Sequence, residues 1–421
     1  MSNDDNGNPM TDAGSDRSCP YSTRPAALTF PMPRQRPLHP PEEYLNLPKE
    51  GSVVRATLWN GDEAWVITGH HDYRMVMTDP RFSADPNRPG FPGQSAALHA
   101  SRKRYPSFQT MDPPRHTEHR QMVAQDFSLK RVEELRPTLQ RIIDDILDRM
   151  IADGPPADFV DRFAIAVPSS VICELLGIPH SDHDFFQSRT RVFTSNTASA
   201  EEALAAGREL VDEYLAILLK QKDRDPQDDL LSRVMVKHVR SGELTEHEVV
   251  SLARMLLVAG HETTANMISL GTLLLLQHPE QLALLRETPS LTPGAVEEII
   301  RFTSIAHAGQ RRVAIEDVEI SGQIVRAGEG IIAFNPAANR DASVFSNPDA
   351  FDITRDARRQ VGFGFGRHAC LGQPLARAEL QIVFDTLLRR LPALRLAAPT
   401  SSLKFKDEML VYGVERLPIA W

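Results

Sequence analysis

The sequence has few cysteines and no long apolar run, and each shortage excludes a class of protein. Its three cysteines, Cys19, Cys173 and Cys370, lie far apart and form no CxxC pair. A disulfide framework and a cysteine-rich zinc site are therefore excluded, and a reducing cytoplasm is the expected location. The most apolar stretch, Ile268 to Leu276, is far shorter than the roughly 20 residues that a membrane span needs. No membrane anchor is predicted.

Basic residues are also in short supply, with 47 Lys and Arg against 56 Asp and Glu, for a net charge of −9. This balance argues against a nucleic-acid binder whose affinity depends on phosphate neutralisation. Small molecules or proteins are the expected partners. Aromatic residues make up only 6% of the 421 residues and hydrophobic residues 41%, which is typical of a large soluble protein with an aliphatic core. We expect a monomer.

The hydrophobic periodicity predicts a fold that is mainly α with a small β part, in a single domain. Residues 1–25 are polar and acidic without a signal peptide, and we interpret them as a mobile tail before a domain that spans residues 26–421. Six prolines between residues 31 and 48 predict an extended strap over the surface of the fold.

Turn and stop signals divide the domain into a helical middle and two small β regions. Asn60-Gly61 and Ser321-Gly322 predict hairpins. Helical periodicity runs between Pro114 and Arg301, and one helix of roughly 25 or more residues is expected to end at His278-Pro279. Another helix is predicted after Cys370.

The longest predicted helix carries a polar patch, His261 to Thr264, within an apolar sequence. In one interpretation Glu262 faces solvent and Thr263 donates to the carbonyl four residues earlier. In the other, an acid beside a hydroxyl relays protons, and Gly260 allows a local opening beside a ligand at a cost of about 1 kcal/mol relative to alanine. An ordinary helix would favour the first interpretation, and Gly260 adds weight to the second.

Two further charged pairs have surface explanations as well as functional ones. Glu298 and Arg301 are spaced i,i+3, a common surface ion pair worth a few tenths of a kcal/mol unless it is buried. His116 and Arg120 share a helical face near His119. Metal binding through the two histidines lacks a third ligand, so a cationic patch for an anionic group is the favoured interpretation.

The segment FGFGRHACLG, from Phe363 to Gly372, places Cys370 just before a predicted helix, where the dipole and free amides favour a thiolate. Gly364, Gly366 and Gly372 allow tight turns and close approach of the backbone to a bulky group. A buried apolar cysteine and a nucleophilic one are the alternatives. A thiolate that ligates a cofactor metal explains the glycines, the aromatics and the dipole together.

This segment resembles the haem-binding signature of the cytochrome P450 family, Phe-x-x-Gly-x-His/Arg-x-Cys-x-Gly. AGHETT, Glu298-Ile299-Ile300-Arg301 and DPPRHTEHR resemble that family's oxygen-activating helix, Glu-x-x-Arg pair and propionate-binding helix. The resemblance covers the chain from about residue 26 onward and is closest to the soluble actinobacterial type of bacterial member. It implies a triangular helical prism around non-covalent haem b, with Cys370 as the thiolate ligand of the iron.

The resemblance also implies a role for each matching residue. Glu262 and Thr263 would deliver protons during dioxygen activation, and Glu298 and Arg301 would form a core pair. Since Ala350 stands where the family has an arginine, Arg355 is the candidate replacement. The residues expected to contact the haem or its propionates are His116, Arg120, Arg312, Phe363, Gly364, Gly366, His368, Gly372, Ala259 and Gly260.

The implied activity is monooxygenation, that is hydroxylation or epoxidation of a medium to large hydrophobic small molecule from secondary metabolism or the environment. Its partners would be O₂ and a ferredoxin with its reductase, because no flavin or iron–sulfur segment precedes Trp421. Substrate contacts are expected from residues 82–108, 185–205, 256–263, 305–309 and 409–410. Arg120, Arg358, Arg359, Arg367 and Arg377 would either form a docking surface for ferredoxin or serve propionates and solvent.

Two alternative functions remain from the sequence. One is an NADH-dependent nitric oxide reductase of the same superfamily, against which the Glu262-Thr263 pair speaks. The other is a non-catalytic haem-thiolate sensor, which no attached signalling domain supports.

Overall fold

The structure of the protein, a computed structural model, describes residues 28–45 and 52–421. The predicted tail over residues 1–25, with Cys19, lies outside the described residues, as does the end of the proline-rich strap. Among the described residues, no helix is both long enough and apolar enough to cross a membrane.

Helices make up most of the described chain, as predicted. The α-helices are α1 (Glu42–Leu45), α2 (His70–Thr78), α3 (Ala96–Arg104), α4 (Arg115–Ala124), α5 (Leu129–Asp153), α6 (Ala166–Leu176), α7 (His183–Thr194), α8 (Ala200–Gly207), α9 (Ala216–Arg224), α10 (Leu230–Val234), α11 (Glu246–Gln277), α12 (Pro279–Glu287), α13 (Thr292–Thr303), α14 (Asn335–Ala338) and α15 (Gln373–Arg390). π-Helical turns extend three helical regions, at Val160–Ala164, Arg208–Leu215 and Met235–Val239.

The strands are short and lie in three small sheets. They are β1 (Leu28–Thr29), β2 (Val53–Thr57), β3 (Glu63–Ile67), β4 (Phe82–Ser83), β5 (Ala157–Asp158), β6 (Gln310–Ala314), β7 (Val318–Ile320), β8 (Gln323–Val325), β9 (Gly330–Ala333), β10 (Arg395–Leu396) and β11 (Pro418–Ala420). The largest sheet has the order β1-β2-β3-β9-β6-β4, and the others are β10-β11-β5 and β7-β8. The order brings β3 and β9 together in parallel, although they are far apart in the chain.

Both predicted hairpins are confirmed. β2 and β3 pair antiparallel from Val53↔Ile67 to Thr57↔Glu63, and β7 pairs with β8 in the same way. The β7–β8 turn places Ser321 at φ 46° and Gly322 at φ 78°, the left-handed backbone that a two-residue hairpin turn requires.

α11 passes through the largest hydrophobic core and positions the site. It begins at a capping box, in which Thr245 and Glu248 satisfy each other's backbone amides, and it ends at His278 before Pro279, as predicted. A Cβ at Gly271 would lie 2.7 Å from Phe384 of α15 and 3.0 Å from Ile299 of α13. Glycine at this position therefore lets α11 lie close to both helices.

The proline-rich strap forms no helix or strand over residues 31–41, but it turns at Arg36–His39 and then enters α1, so it is extended only in part. Arg34 fastens it to the core. Arg34 donates to the carbonyls of Thr303 (2.9 Å) and Ser304 (2.8 Å) at the end of α13, and its guanidinium lies 4.0 Å above the Tyr412 ring. These contacts join the start of the described chain to its end.

Candidate active site

Cys370 lies in the loop before α15. Its amide donates to the Phe363 carbonyl (2.8 Å), which closes the loop, and the Phe363 ring packs under the Arg377 guanidinium at 4.6 Å. Gly364 and Gly366 have φ of 76° and 69°. A Cβ at Gly366 would also lie 2.5 Å from the Met77 carbonyl oxygen, so this turn requires glycine.

The Cys370 side chain is accessible, yet protein atoms surround it closely enough for burial to raise the thiol pKa. Both properties belong to a side chain that opens into a recess. The rise is opposed by hydrogen bonds from the backbone amides of Gly372 and Gln373 and by the charges of Arg120 and Arg377. A Cβ at Gly372 would meet no atom within 4 Å, so the space beside this glycine is open. Burial alone keeps the sulfur as a thiol, whereas these amides and charges are groups that stabilise a thiolate when a metal cation binds it.

Four cationic or donor side chains converge beside this recess: His116, Arg120, Arg312 and His368. The two imidazole rings lie 4.2 Å apart. Among the described residues, no hydrogen-bond partner exists for either ring nitrogen of His116, for Nδ1 of His368 or for Nη2 of Arg312. Burial and the neighbouring arginines lower the pKa of His116 to about 4 and that of His368 to about 2. A cluster of buried donors without an acceptor fits an anionic group, and the two propionates of a haem supply that charge.

α11 has one half-buried face within an otherwise buried stretch. From Val249 to Leu275 every residue of the helix is buried except residues 258, 259, 260 and 263, which are half-buried. Thr263 donates from its hydroxyl to the Ala259 carbonyl (2.7 Å), so these residues share one face. This face leaves space beside α11 that a flat group can occupy.

Gly260 has a different role from the expected local opening. α11 is continuous across it, and a Cβ there would lie 2.8 Å from Cδ1 of Ile172 in α6. The glycine allows α6 to approach α11, so the expectation of a helix opening is wrong.

Glu262 is 9% exposed, which rules out the interpretation that it faces solvent. Asn266, one turn later, donates to the Glu262 carbonyl (2.8 Å) and to its carboxylate (3.3 Å). Lys406 in turn donates to the Asn266 side-chain oxygen (3.0 Å), and the charge of Glu262 partly offsets the lowering of the Lys406 pKa by burial. A Cβ at Gly413 would clash with Asn266, so the C-terminal segment packs directly on this network.

Glu298 and Arg301 are both fully buried, which sets them apart from a surface pair. Arg301 donates to the two Glu298 oxygens at 2.7 and 2.8 Å and also to the carbonyls of Asn339 and Pro348. Arg355 reaches the same carboxylate at 3.2 Å. The chain thus has a second guanidinium on Glu298 although Ala350 lacks one.

The remaining candidates lie outside this arrangement. His119 faces Glu248 at 3.6 Å and not His116, and no group of three metal-ligating side chains occurs within residues 28–45 and 52–421. Arg358 pairs with Asp356 (2.7 Å) in solvent, whereas Arg377, which lies against Phe363 in the arrangement, also pairs with Glu297 (2.5 Å). Sequence reasoning missed Asn266 and Lys406, although Asn266 follows Glu262 by one helical turn, a spacing that could have indicated the contact.

Comparisons with known proteins bear on the whole chain. The family model described as Cytochrome P450 matches residues 39–411. Cytochrome P450-SU2 of Streptomyces griseolus is 49% identical over 399 residues, covering 94% of this chain and 98% of its own. The 20-oxo-5-O-mycaminosyltylactone 23-monooxygenase of Streptomyces fradiae is 43% identical over 396 residues, with 94% and 93% covered. The crystal structure of cytochrome P450 MoxA from Nonomuraea recticatena superposes with a TM-score of 0.86 at 45% identity, covering 94% and 99%.

Proposed function

The chain belongs to the cytochrome P450 family, and from this membership we propose that it is a monooxygenase that hydroxylates or epoxidises a medium to large hydrophobic small molecule. The proposal depends chiefly on one observation: an accessible cysteine and a cluster of unpaired buried donors lie on the same recess. Relatives at 43–49% identity are named as cytochrome P450 or monooxygenase enzymes, which supports the reaction class.

Haem b is the proposed cofactor, with Cys370 as the ligand of its iron. When bound, it supplies the iron at which O₂ is activated. The amides of Gly372 and Gln373 would help to stabilise the sulfur as a thiolate, in a loop that the bond from the Cys370 amide to the Phe363 carbonyl closes. His116, Arg120, Arg312 and His368 would hold the propionates, whose charge would compensate the positive charge of the cluster.

Glu262 and Thr263 are the proposed proton donors. The Thr263 hydroxyl donates a hydrogen bond to the Ala259 carbonyl. It can rotate toward the recess, where the activation of O₂ requires a proton. The carboxyl group of Glu262 is held by Asn266, which is held in turn by the half-buried Lys406. This arrangement joins the face of α11 to the protein surface through three polar side chains.

Electrons come from a ferredoxin and its reductase in this proposal. Arg359 and Arg367 are exposed and lie in the segment that leads to Cys370, so they offer positive charge to an acidic partner, whereas Arg358 is already paired with Asp356. Arg377 and Arg120 are engaged with other groups and contribute less to docking.

The first test is the absorption spectrum of the reduced, CO-bound protein. Wild type is expected to show the strongly red-shifted Soret band of thiolate-ligated haem, and Cys370→His is expected to lose it while retaining haem. A wild-type spectrum without this band contradicts the proposal.

A second test separates the candidate functions. Substrate-dependent NADPH consumption that requires ferredoxin and its reductase supports a monooxygenase. Rapid NADH-driven consumption of nitric oxide without ferredoxin would instead identify a reductase, and binding without any turnover would identify a sensor.

A further inference from the structure

A second group of buried arginines lies apart from the proposed propionate donors. It consists of Arg102 in α3, Arg254 in α11 and Arg311 in β6. Arg254 donates to the Ser101 hydroxyl (3.3 Å) and the Tyr105 carbonyl (3.1 Å), which fastens the end of α3 to α11. Arg311 donates to the carbonyls of Pro92 (3.1 Å) and Ala308 (3.4 Å). Arg102 lies within residues 82–108, where substrate contacts are expected, and Arg254 and Arg311 lie two residues outside the expected segments 256–263 and 305–309.

None of the three arginines forms an ion pair with a carboxylate among the described residues. Arg254 and Arg311 are 7% and 5% exposed, and their Nε atoms have no partner. Burial lowers the pKa of Arg254 to about 10 and that of Arg311 to about 9, and the positive charge of Arg102 adds to both shifts. Elsewhere in the core, Lys222 and Arg301 each have a carboxylate within 2.7 Å. Buried cations without an anion are unfavourable, so an anion from outside the chain would stabilise this group of three arginines.

Arg102 is the member of the group that is free to bind. Its side chain is half-buried, burial lowers its pKa to about 10, and no hydrogen bond or ion pair engages it within the described chain. Arg254 and Arg311 are held by neutral carbonyl and hydroxyl oxygens and add to the positive potential around Arg102.

We propose that Arg102 binds a carboxylate group of the substrate, so that the natural substrate is an apolar molecule with an acidic end. The inference rests on the proposed function, since it names the substrate class of the same recess. Thr263 follows Arg254 by nine residues, which corresponds to about 13 Å along the helix. A molecule anchored at the arginines therefore presents carbon atoms remote from its carboxylate to the site of oxidation.

A carboxylate near Arg102 has a second possible source, the haem propionates, because Arg102 also lowers the pKa of Arg312. The four residues His116, Arg120, Arg312 and His368 already provide donors for two propionates. Arg254 and Arg311 are not among them, and they extend the positive region toward α3. We therefore assign the carboxylate at Arg102 to the substrate, and the experiment distinguishes a substrate carboxylate from a haem propionate.

The test compares acids with their methyl esters on the haem-loaded protein. Dodecanoic acid and abietic acid, one linear and one polycyclic, are titrated alongside methyl dodecanoate and methyl abietate. Calorimetry measures each dissociation constant, and the Soret shift is recorded in parallel. The variants are Arg102→Met, which keeps the length of the side chain, Arg102→Lys, which keeps its charge, and the control Lys103→Met on the exposed side of the same helix.

Wild type and Lys103→Met are expected to bind each acid roughly tenfold to a hundredfold more tightly than its ester, the range of a charge-assisted hydrogen bond. Arg102→Met should lose this ratio with unchanged haem content, and Arg102→Lys should recover part of it. A wild-type protein without the preference, including one that binds neither acid, overturns the inference.

Two further outcomes also count against it. The inference is overturned if haem-bound Arg102→Met keeps the acid preference. If that variant also loses part of its haem, Arg102 serves a propionate and not the substrate. Failure of the proposed function is distinct: the wild-type CO spectrum would lack the thiolate band, whatever calorimetry shows.

Discussion

The Glu298–Arg301 pair provides a sharp test of how burial decides the strength of an ion pair in this protein. Both side chains are 0% exposed, and two hydrogen bonds of 2.7 and 2.8 Å join them. Glu298→Gln keeps the shape of the side chain but leaves the Arg301 charge buried without its partner. We expect this change to lower the free energy of unfolding by about 3–5 kcal/mol.

The chain contains a matched control for this pair. Glu133 and Arg136 have the same i,i+3 spacing, the same order and the same 2.7 Å Nε–Oε2 distance, but their side chains are 59% and 35% exposed. Glu133→Gln should change the free energy of unfolding by no more than about 0.5 kcal/mol. Urea unfolding of the haem-loaded proteins, followed by tryptophan fluorescence, measures both. Similar small losses in the two variants would refute the argument that burial makes the difference.

Arg355 adds a second step to this prediction because it contacts the same carboxylate at 3.2 Å and is 9% exposed. Arg355→Met alone should cost about 1–3 kcal/mol. In the Glu298→Gln background the further cost should be smaller, because the charge that Arg355 binds is already gone. Additive losses would mean that Arg355 stabilises the fold through its other contacts and does not replace an arginine at Ala350.

Two other predictions concern groups that surround the recess. Lys406→Met should lower the fraction of NADPH electrons recovered in product several-fold and raise hydrogen peroxide release, because Glu262 and Asn266 lose their outer partner. The control Lys404→Met removes an exposed neighbouring lysine and should change neither quantity. Equal electron recovery in the two variants would contradict the network. Burial, with the charges of Arg34 and Arg311, lowers the pKa of His307 from 6.5 to about 4, so its contribution to stability is present above pH 6.5 and is lost as the pH falls toward 4. His307→Gln should therefore make the fall of Tm across this pH interval less steep. The control His71→Gln, at an exposed position, should follow wild type. If Tm falls equally with decreasing pH in all three proteins, His307 is excluded as a cause.

The sequence was most informative where function depends on neighbours in the chain. Cys370, its glycines and His368 lie within ten residues, and their proposed roles follow from local turns and a helix start. The end and type of α11 were also predictable, because apolar periodicity and a proline indicate them. The two hairpins were predictable for the same reason, since each turn carries its own signal.

Long-range contacts explain where sequence reasoning failed. The solvent-facing interpretation of Glu262 was wrong because Lys406 and Gly413, which cover its neighbour Asn266, come 140 residues or more after that asparagine. Gly260 was interpreted as a place where the helix opens, whereas Ile172 of α6 explains it. In both cases the deciding partner belongs to an element whose position no local pattern reveals.

The arginine group shows why even the overall charge of the chain misleads about the recess. A net charge of −9 suggests that an anionic substrate would be repelled. Exposed carboxylates more than a Debye length away, about 8 Å at physiological ionic strength, are screened by salt. Arg102, Arg254 and Arg311 instead act at close range among apolar atoms, where a charge interaction is stronger than in water. The sign of the substrate's charge is therefore set by three side chains brought together from α3, α11 and β6, and only the folded structure reveals it.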